Sequence, residues 1–224
     1  VGDFGGAAVP FDLVEGLDLG VGENALEVGG FLTGFRGGLH SARGGGGGLG
    51  TAGGGLGTID DSYRAVYAEG KNRVHPFVVP RLMNSAAASH ISMETGVRGP
   101  VFTVSTACAS SNHAMGLAFQ MVRAGSVKAM LTGGAEAMLC FGGIKAWEGL
   151  RVLSPDGCRP FSADRNGMVQ GEGAAVYVFE DYEHAQARGA EILAEVAGFA
   201  MTSDAGDIVM PSVEGAARAI SGAL

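Results

Sequence analysis

Cys108 is the residue whose surroundings point most directly to chemistry. It stands in "VSTACASSNHAMG", after the β-rich run "VFTVST" and immediately before "ASSNHAMGLAFQMVRAG", which has the pattern of a helix. A strand passing straight into a helix puts the thiol at the helix N-terminus. Unpaired backbone N–H groups and the positive end of the helix dipole there favour thiolate, the nucleophilic form of cysteine. Small neighbours, Ala107, Ala109, Ser110 and Ser111, leave room for a bulky acyl group or thioester to reach the sulfur. Backbone N–H groups of the same turn can donate to a developing oxyanion. The chemistry implied is acyl transfer through a covalent thioester. The competing reading is a buried free cysteine acting as a small hydrophobe, the commoner fate of this residue. Position alone does not separate the two.

The elements around the thiol follow from patterning. Ala114, Met115, Leu117, Ala118, Phe119, Met121 and Val122 leave almost no polar face beyond the first turns, so this helix is predicted to be buried behind the nucleophile, with Gly125 as its stop. Upstream, "TIDDSYRAVYAEG" reads as a helix and "PRLMNSAAASHISMETG" as a second, single helix entered just after Pro80. Downstream, "VKAMLTGG" predicts a strand, "GIKAWEGLRVL" a helix, "GAAVYVFED" a strand and "DYEHAQARG" a short helix. "ILAEVAGFA" then predicts a strand, and "PSVEGAARAISGAL" a last helix capped by Ser212. The alternation implies an α/β fold with helices covering a largely parallel sheet. Residues 1–49 are Gly-rich with weak periodicity and stay unassigned. "GLGTAG", Gly48 to Gly53, matches GxGxxG, but "SARGGGG" is a poor strand, so the stretch reads as a Gly-rich turn.

Composition narrows the function classes. The 224 residues, 46% of them hydrophobic, suffice for one sizeable core and are most simply read as one domain. A net charge of −8 with few basic clusters speaks against nucleic acid or an anionic membrane as partner. Cys108, Cys140 and Cys158 are odd in number and lack CxxC spacing, which implies neither a disulfide framework nor a zinc site and suits a reducing cytosol. With no run of eighteen apolar residues and no start resembling a signal peptide, the chain is expected to be soluble, unexported and cytoplasmic.

Four stretches carry a resemblance: "GPVFTVSTACASSNHAMG", "MLTGGAEAM", "LRVLSPDGCRPFSADRNGMVQGEGAAVYVFEDYEHAQARGAEILAEV" and "GFAMTSDAGD". In order and spacing they resemble the N-terminal half of β-ketoacyl-acyl carrier protein synthases, the condensing enzymes of the thiolase fold. They look most like the type II elongating enzymes and the nodulation branch. The resemblance covers residues 50–224 and implies a layered thiolase-like half with the buried central helix behind the nucleophile. It implies further that Cys108 takes an acyl chain from its carrier, and that malonyl-carrier protein then attacks in a decarboxylative Claisen condensation. It implies no cofactor and no metal, acyl carrier protein and acyl and malonyl thioesters as partners, and a homodimer formed through "VFTVST".

Other positions take roles from the same resemblance. Gly53 falls where the elongating enzymes carry a branched residue that partly closes the acyl tunnel, which implies room for longer or more rigid chains; the alternative is one more glycine in a Gly-rich run. Ile144 and Trp147 fall on the pocket wall, although core packing explains them almost as well. Met83 lies in the segment that crosses the family's dimer interface toward the partner's tunnel. Arg151 matches an arginine that meets the acidic carrier, with Lys145 about two turns earlier on a related face; a solvated surface pair is the plain alternative. Asp164 and the glycines of "SADRNGMVQGEG" shape a turn near the mouth, Glu136 is structural, and Cys140 and Cys158 are inert thiols.

Two departures temper the resemblance. The family's decarboxylating histidines and lysine belong to its second half, and none of His40, His75, His90, His113 and His184 sits in a matching motif. His113 is five residues beyond Cys108, about 140° around the helix, and reads as structural. The family's opening strand is also unmatched, so the chain is expected to be a fragment unable to complete a condensation alone. Two other functions stay open: a non-condensing partner resembling a chain-length factor, against which the cysteine argues, and a thiolase or other acyltransferase using the same cysteine.

Overall fold

The computed structural model describes residues 7–10 and 44–224. Its strands are β1 (Ala7–Pro10), β2 (Gly45–Gly50), β3 (Val101–Val104), β4 (Ala129–Glu136), β5 (Gly173–Asp181) and β6 (Ile192–Val196). They form one sheet in the order β3-β2-β4-β5-β1-β6. The helices are α1 (Leu56–Tyr63, continued by a π turn over Arg64–Ala68), α2 (Val78–Leu82), α3 (Ala86–Thr95), α4 (Ser110–Arg123), α5 (Phe141–Gly149), α6 (Tyr182–Ala187) and α7 (Val213–Ala223).

Three sequence expectations need correction. First, the sheet is mixed rather than largely parallel. Only β2–β3 and β2–β4 run parallel, while β4–β5, β5–β1 and β1–β6 are antiparallel. The link between β4 and β5 leaves and re-enters the sheet at the same end, so β5 has to run back.

Second, the glycine run is a strand. All six residues of β2 are buried, with β3 on one side and β4 on the other. Glycine normally weakens a strand because it brings no side chain to pack and loses the most entropy on ordering. Here the neighbours fill the space a side chain would need. A Cβ at Gly46 would lie 2.5 Å from Met130 Sδ and 2.6 Å from the Pro100 carbonyl oxygen, and one at Gly48 would lie 2.9 Å from the Phe102 ring. The compositional boundary at residue 49 falls inside this strand.

Third, the stretch 80–96 is two helices. Met83 is extended at ψ 138, the Leu82 carbonyl accepts from the Gly55 N–H, and α3 starts anew after Ser85. Pro80 lies within the first turn of α2, where a missing N–H costs nothing.

The sheet is covered on both faces. Against one, Ala87, Ala88 and Ile91 of α3 pack on Leu49, Leu131 and Val178. Against the other, Ala118, Phe119 and Val122 of α4 pack on Met130 and Phe179. α4 is therefore the buried helix expected behind Cys108. Connecting β3 to β4 with β2 between them, it lies across the glycine strand. The Ser212 cap forms as expected, its hydroxyl accepting the Gly215 N–H at 3.2 Å. Glu180, 1% exposed in β5, is held by two N–H groups of Arg188 at 2.9 and 2.8 Å and by His184. This pins α6 to the sheet.

Candidate active site

The site forms at the C-terminal ends of the parallel strands, where α/β sheets commonly place their ligands. Leaving β3, the chain turns through Ala107, whose φ of 51 is left-handed and costs energy for a residue with a Cβ. Cys108 follows, then Ala109 at the N-cap of α4, which has no side-chain cap of its own. Ser110, 3% exposed, takes up the slack. Its hydroxyl accepts the Thr106 N–H at 2.9 Å and donates to the Ala107 carbonyl at 2.6 Å.

Two glycines bring this turn onto the sheet. A Cβ at Gly50 would lie 2.2 Å from the Ser110 carbonyl carbon and 2.3 Å from the Ser111 nitrogen, and one at Gly134 would come within 1.9 Å of Ser111 Oγ. No side chain fits between the ends of β2 and β4 and the start of α4.

The Cys108 thiol is exposed and lines a cavity of ≈ 580 Å³ with walls that include Met115, Met138, Trp147, Met168 and Tyr177. That volume and apolar lining suit a small organic ligand. An exposed thiol in a cavity argues against the packing-only reading of Cys108. The other cysteines lie elsewhere: Cys140 is half-buried at the N-cap of α5, and Cys158 is exposed in the following loop. His113 lies on another side of α4, edge-on to Phe199 at 6.5 Å, and does not line the Cys108 cavity. His40 lies outside the described residues. Among the described residues no cluster of three or more His, Cys, Asp or Glu could hold a metal ion.

In the loop after β2, the donors of the GxGxxG match are already engaged within the protein. The Glu136 carboxylate, at the end of β4, accepts the Thr51 hydroxyl at 3.2 Å, the Ala52 N–H at 2.6 Å and the Gly53 N–H at 3.3 Å. The donors an anion would need are taken by the protein's own carboxylate. This also fixes Gly53, where an added Cβ would meet Met138 Sδ at 3.2 Å and Cε at 3.3 Å. Gly53 thus backs a cavity wall without reaching the cavity.

On the opposite rim, Leu153 and Met168 bridge the neck of a long loop. Asp156 holds that loop together, bonding Asn166 at 2.9 Å, Arg159 at 3.1 Å and Ser154 at 3.1 Å. Hydrogen bonds from Asn166, Arg159 and Ser154 set its carboxyl below the usual 3.8. A depressed carboxyl stabilises above its unfolded pKa and loses that contribution as pH falls through the folded one. The loop should therefore loosen only below pH 3.8. Trp147, the only tryptophan, reports it: Asp156→Asn should show at pH 7 the emission shift that the parent shows only in acid.

The remaining sequence candidates are dispersed. Trp147 lines the cavity. Ile144, 36% exposed on the same helix, does not. Met83, 41% exposed, ends α2 at the surface. Lys145 pairs with Glu148 at 2.6 Å, and Arg151 is exposed just past α5 with φ 57.

Comparison with known proteins decides the lineage of this arrangement. The family "Beta-ketoacyl synthase, N-terminal domain" matches residues 23–185. The chain belongs to the beta-ketoacyl synthase family. Within it, nodulation protein E of Rhizobium leguminosarum bv. trifolii is 53% identical over 166 residues, which are 74% of this chain and 41% of that protein. The 3-oxoacyl-[acyl-carrier-protein] synthase 2 of Staphylococcus aureus is 40% identical over 159 residues, 69% of this chain and 40% of that protein. One chain of the solved complex described as a type II PKS acyl-carrier protein in complex with its ketosynthase bound to the hexaketide (AntDE:AntF) superposes with a TM-score of 0.72 at 31% identity, the match covering 82% of this chain and 48% of that one. The chain thus spans about two fifths of the length of these curated relatives, and its mixed α/β architecture is the N-terminal half of the ketosynthase, thiolase-like fold.

Sequence reading of this ketosynthase half did not single out Met115, Met138, Met168 or Tyr177 as wall residues. Only Met115, at helical spacing from Cys108, had a usable signal. The other three reach the cavity through long-range pairing of β4 with β5 and through the bridge at Met168, and no local pattern encodes that.

Proposed function

We propose that Cys108 is the acyl-accepting nucleophile of a 3-oxoacyl-carrier-protein synthase to which this chain contributes the N-terminal half, residues 50–224 together with the glycine strand β2 that leads into them. The supporting observation is an exposed thiol at the start of a buried helix, opening into an apolar-walled cavity of ≈ 580 Å³. In loading, the thiolate attacks the carbonyl carbon of an acyl thioester. The C=O electron pair moves to oxygen, where the Cys108 N–H is a donor, and the collapsing intermediate expels the carrier's thiolate. In condensation, malonyl-carrier protein loses carbon dioxide and the freed electron pair forms the new C–C bond at the acyl carbon, returning Cys108 as thiolate.

Met115, Met138 and Trp147 would line the acyl path, with Gly53 behind Met138. The acidic carrier would dock at Arg151 and Lys145; that a carrier docks on this fold at all is supported by the AntDE:AntF structure, in which an acyl-carrier protein is in complex with its ketosynthase. A homodimer would pair β3, which ends the sheet, and bring Met83 toward its partner, in the cytoplasm. No helix of the described residues is long and apolar enough to cross a membrane.

Iodoacetamide followed by peptide mapping tests the nucleophile: one label per chain, on Cys108, is expected. Labelling spread evenly over Cys108, Cys140 and Cys158, or absent from Cys108, would favour a non-condensing partner subunit. Carbon dioxide release from malonyl-carrier protein by the complete protein separates a synthase from a thiolase, which should release none. Gly53→Ile tests the wall: its branched side chain presses Met138 inward. Loading of a hexadecanoyl chain should drop about tenfold while hexanoyl loading holds. Equal rates for both chains would remove Gly53 from the acyl path.

A further inference from the structure

We infer that Ser110 is a positioning residue for acyl transfer, holding the backbone of Cys108 in the one orientation that serves the oxyanion. The inference rests on the acyl-transfer reading of Cys108 and extends it to a residue that touches neither sulfur nor substrate.

The geometry is a closed clamp. Ser110 Oγ joins the residue two before Cys108 to the residue just before it, through the Thr106 N–H at 2.9 Å and the Ala107 carbonyl at 2.6 Å. Backbone bonds from the Ala109 N–H to the Thr106 carbonyl at 3.2 Å and from the Ser110 N–H to the Ala107 carbonyl at 3.1 Å close the same turn. Ala107 sits in the left-handed region at φ 51, a conformation that an alanine keeps only when its surroundings impose it. The Ser110 side chain bonds the carbonyl of the Ala107–Cys108 peptide itself and, on the other side of Ala107, the Thr106 N–H. It is 3% exposed, so water is poorly placed to substitute. The backbone of α4 gives no slack either, since its first turn rests against Gly50 and Gly134 at contact distance.

Removing the hydroxyl frees Ala107 to relax toward negative φ. That rotates the Ala107–Cys108 peptide, and with it the Cys108 N–H, while Cys108 Sγ remains exposed in the cavity. Two reactions of the same sulfur then respond differently. Alkylation by iodoacetamide displaces iodide from carbon and generates no oxyanion. Attack on a thioester develops negative charge on the carbonyl oxygen, and it depends on where the N–H points.

The experiment compares both rates in the parent chain, in Ser110→Ala and in Ala107→Gly/Ser110→Ala, using iodoacetamide and octanoyl-N-acetylcysteamine, with loading read as the intact-mass gain on Cys108. Ser110→Ala should lose about 100-fold in octanoyl loading and stay within about threefold in alkylation. Glycine at 107 adopts φ 51 without penalty, so the double variant should regain about tenfold in loading. A parallel fall of both rates, or unchanged loading, overturns the inference. Should Ser110→Ala fail to fold, the double variant is set against Ala107→Gly, and equal loading-to-alkylation ratios overturn it. A parent chain that is alkylated but never loaded sinks the acyl-transfer reading, and this inference with it.

Discussion

Cys108→Ala should reduce acyl loading from a thioester by about 10³-fold or more, to the background set by Cys140 and Cys158. A covalent intermediate cannot form without its nucleophile, and single-residue losses of nucleophiles are of this order or larger. Neither remaining thiol is among the residues lining the cavity, so neither can substitute. The fold should survive, because Cys108 is exposed and its removal leaves no void in either packed layer. Intact-mass spectrometry after incubation with an acyl thioester measures the first effect, and a thermal melt the second. Undiminished loading of Cys108→Ala would end the nucleophile assignment, whereas a collapsed melt with no loading would place Cys108 in the core after all.

The second large effect is expected from Gly50→Ala, a change of one methyl group. Its Cβ would lie 2.2 Å from the carbonyl carbon of Ser110 and 2.4 Å from its oxygen. These are backbone atoms of the first turn of α4 and cannot swing aside as a side chain end can. Either α4 lifts from β2 or β2 leaves its register between β3 and β4. Overpacking of this kind costs about 3 kcal/mol or more, and a shift of about 1 Å at the nucleophile costs roughly 100-fold in rate. Denaturant melts and loading assays on Gly50→Ala should show both losses. Gly57→Ala is the control, because a Cβ there meets only Cys140 Cβ at 4.0 Å, and it should lie within about 0.5 kcal/mol of the parent in denaturant melts.

These expectations indicate what the sequence could and could not reveal. α4 was legible because apolar residues dominate its length, and Ser212 because a cap hydroxyl before a helical pattern is a local signal. The position of Cys108 just before α4 was legible for the same reason, because the strand and helix patterns on either side of it are local. β2 was not, since a glycine run carries no periodicity and its fitness for a strand lies in Met130, Pro100 and Phe102 around it. The direction of β5 was equally hidden, because alternating elements suggest parallel crossovers and only the ladder from Gly173 to Glu136 fixes the opposite sense. Met83 escaped for a related reason: the helical pattern over 80–96 is continuous, and the break comes from the Gly55 bond to Leu82. For the site, Glu136 sat in a motif that marks a strand end, but its grip on the Thr51–Gly53 loop joins residues more than eighty positions apart.

The glycine strand ties reactivity to cooperativity. An array of bare peptide units has the most freedom to lose on ordering and the least hydrocarbon of its own to bury in return, so it holds its place on the strength of its two flanking ladders. Because α4 rests directly on that array, any breathing of the ladders reaches the thiol with no side chain between to absorb it. The Cys108 thiol is thus as well aligned as the ladders flanking β2 are closed, and a ligand that favours the aligned thiol would tighten the sheet in turn.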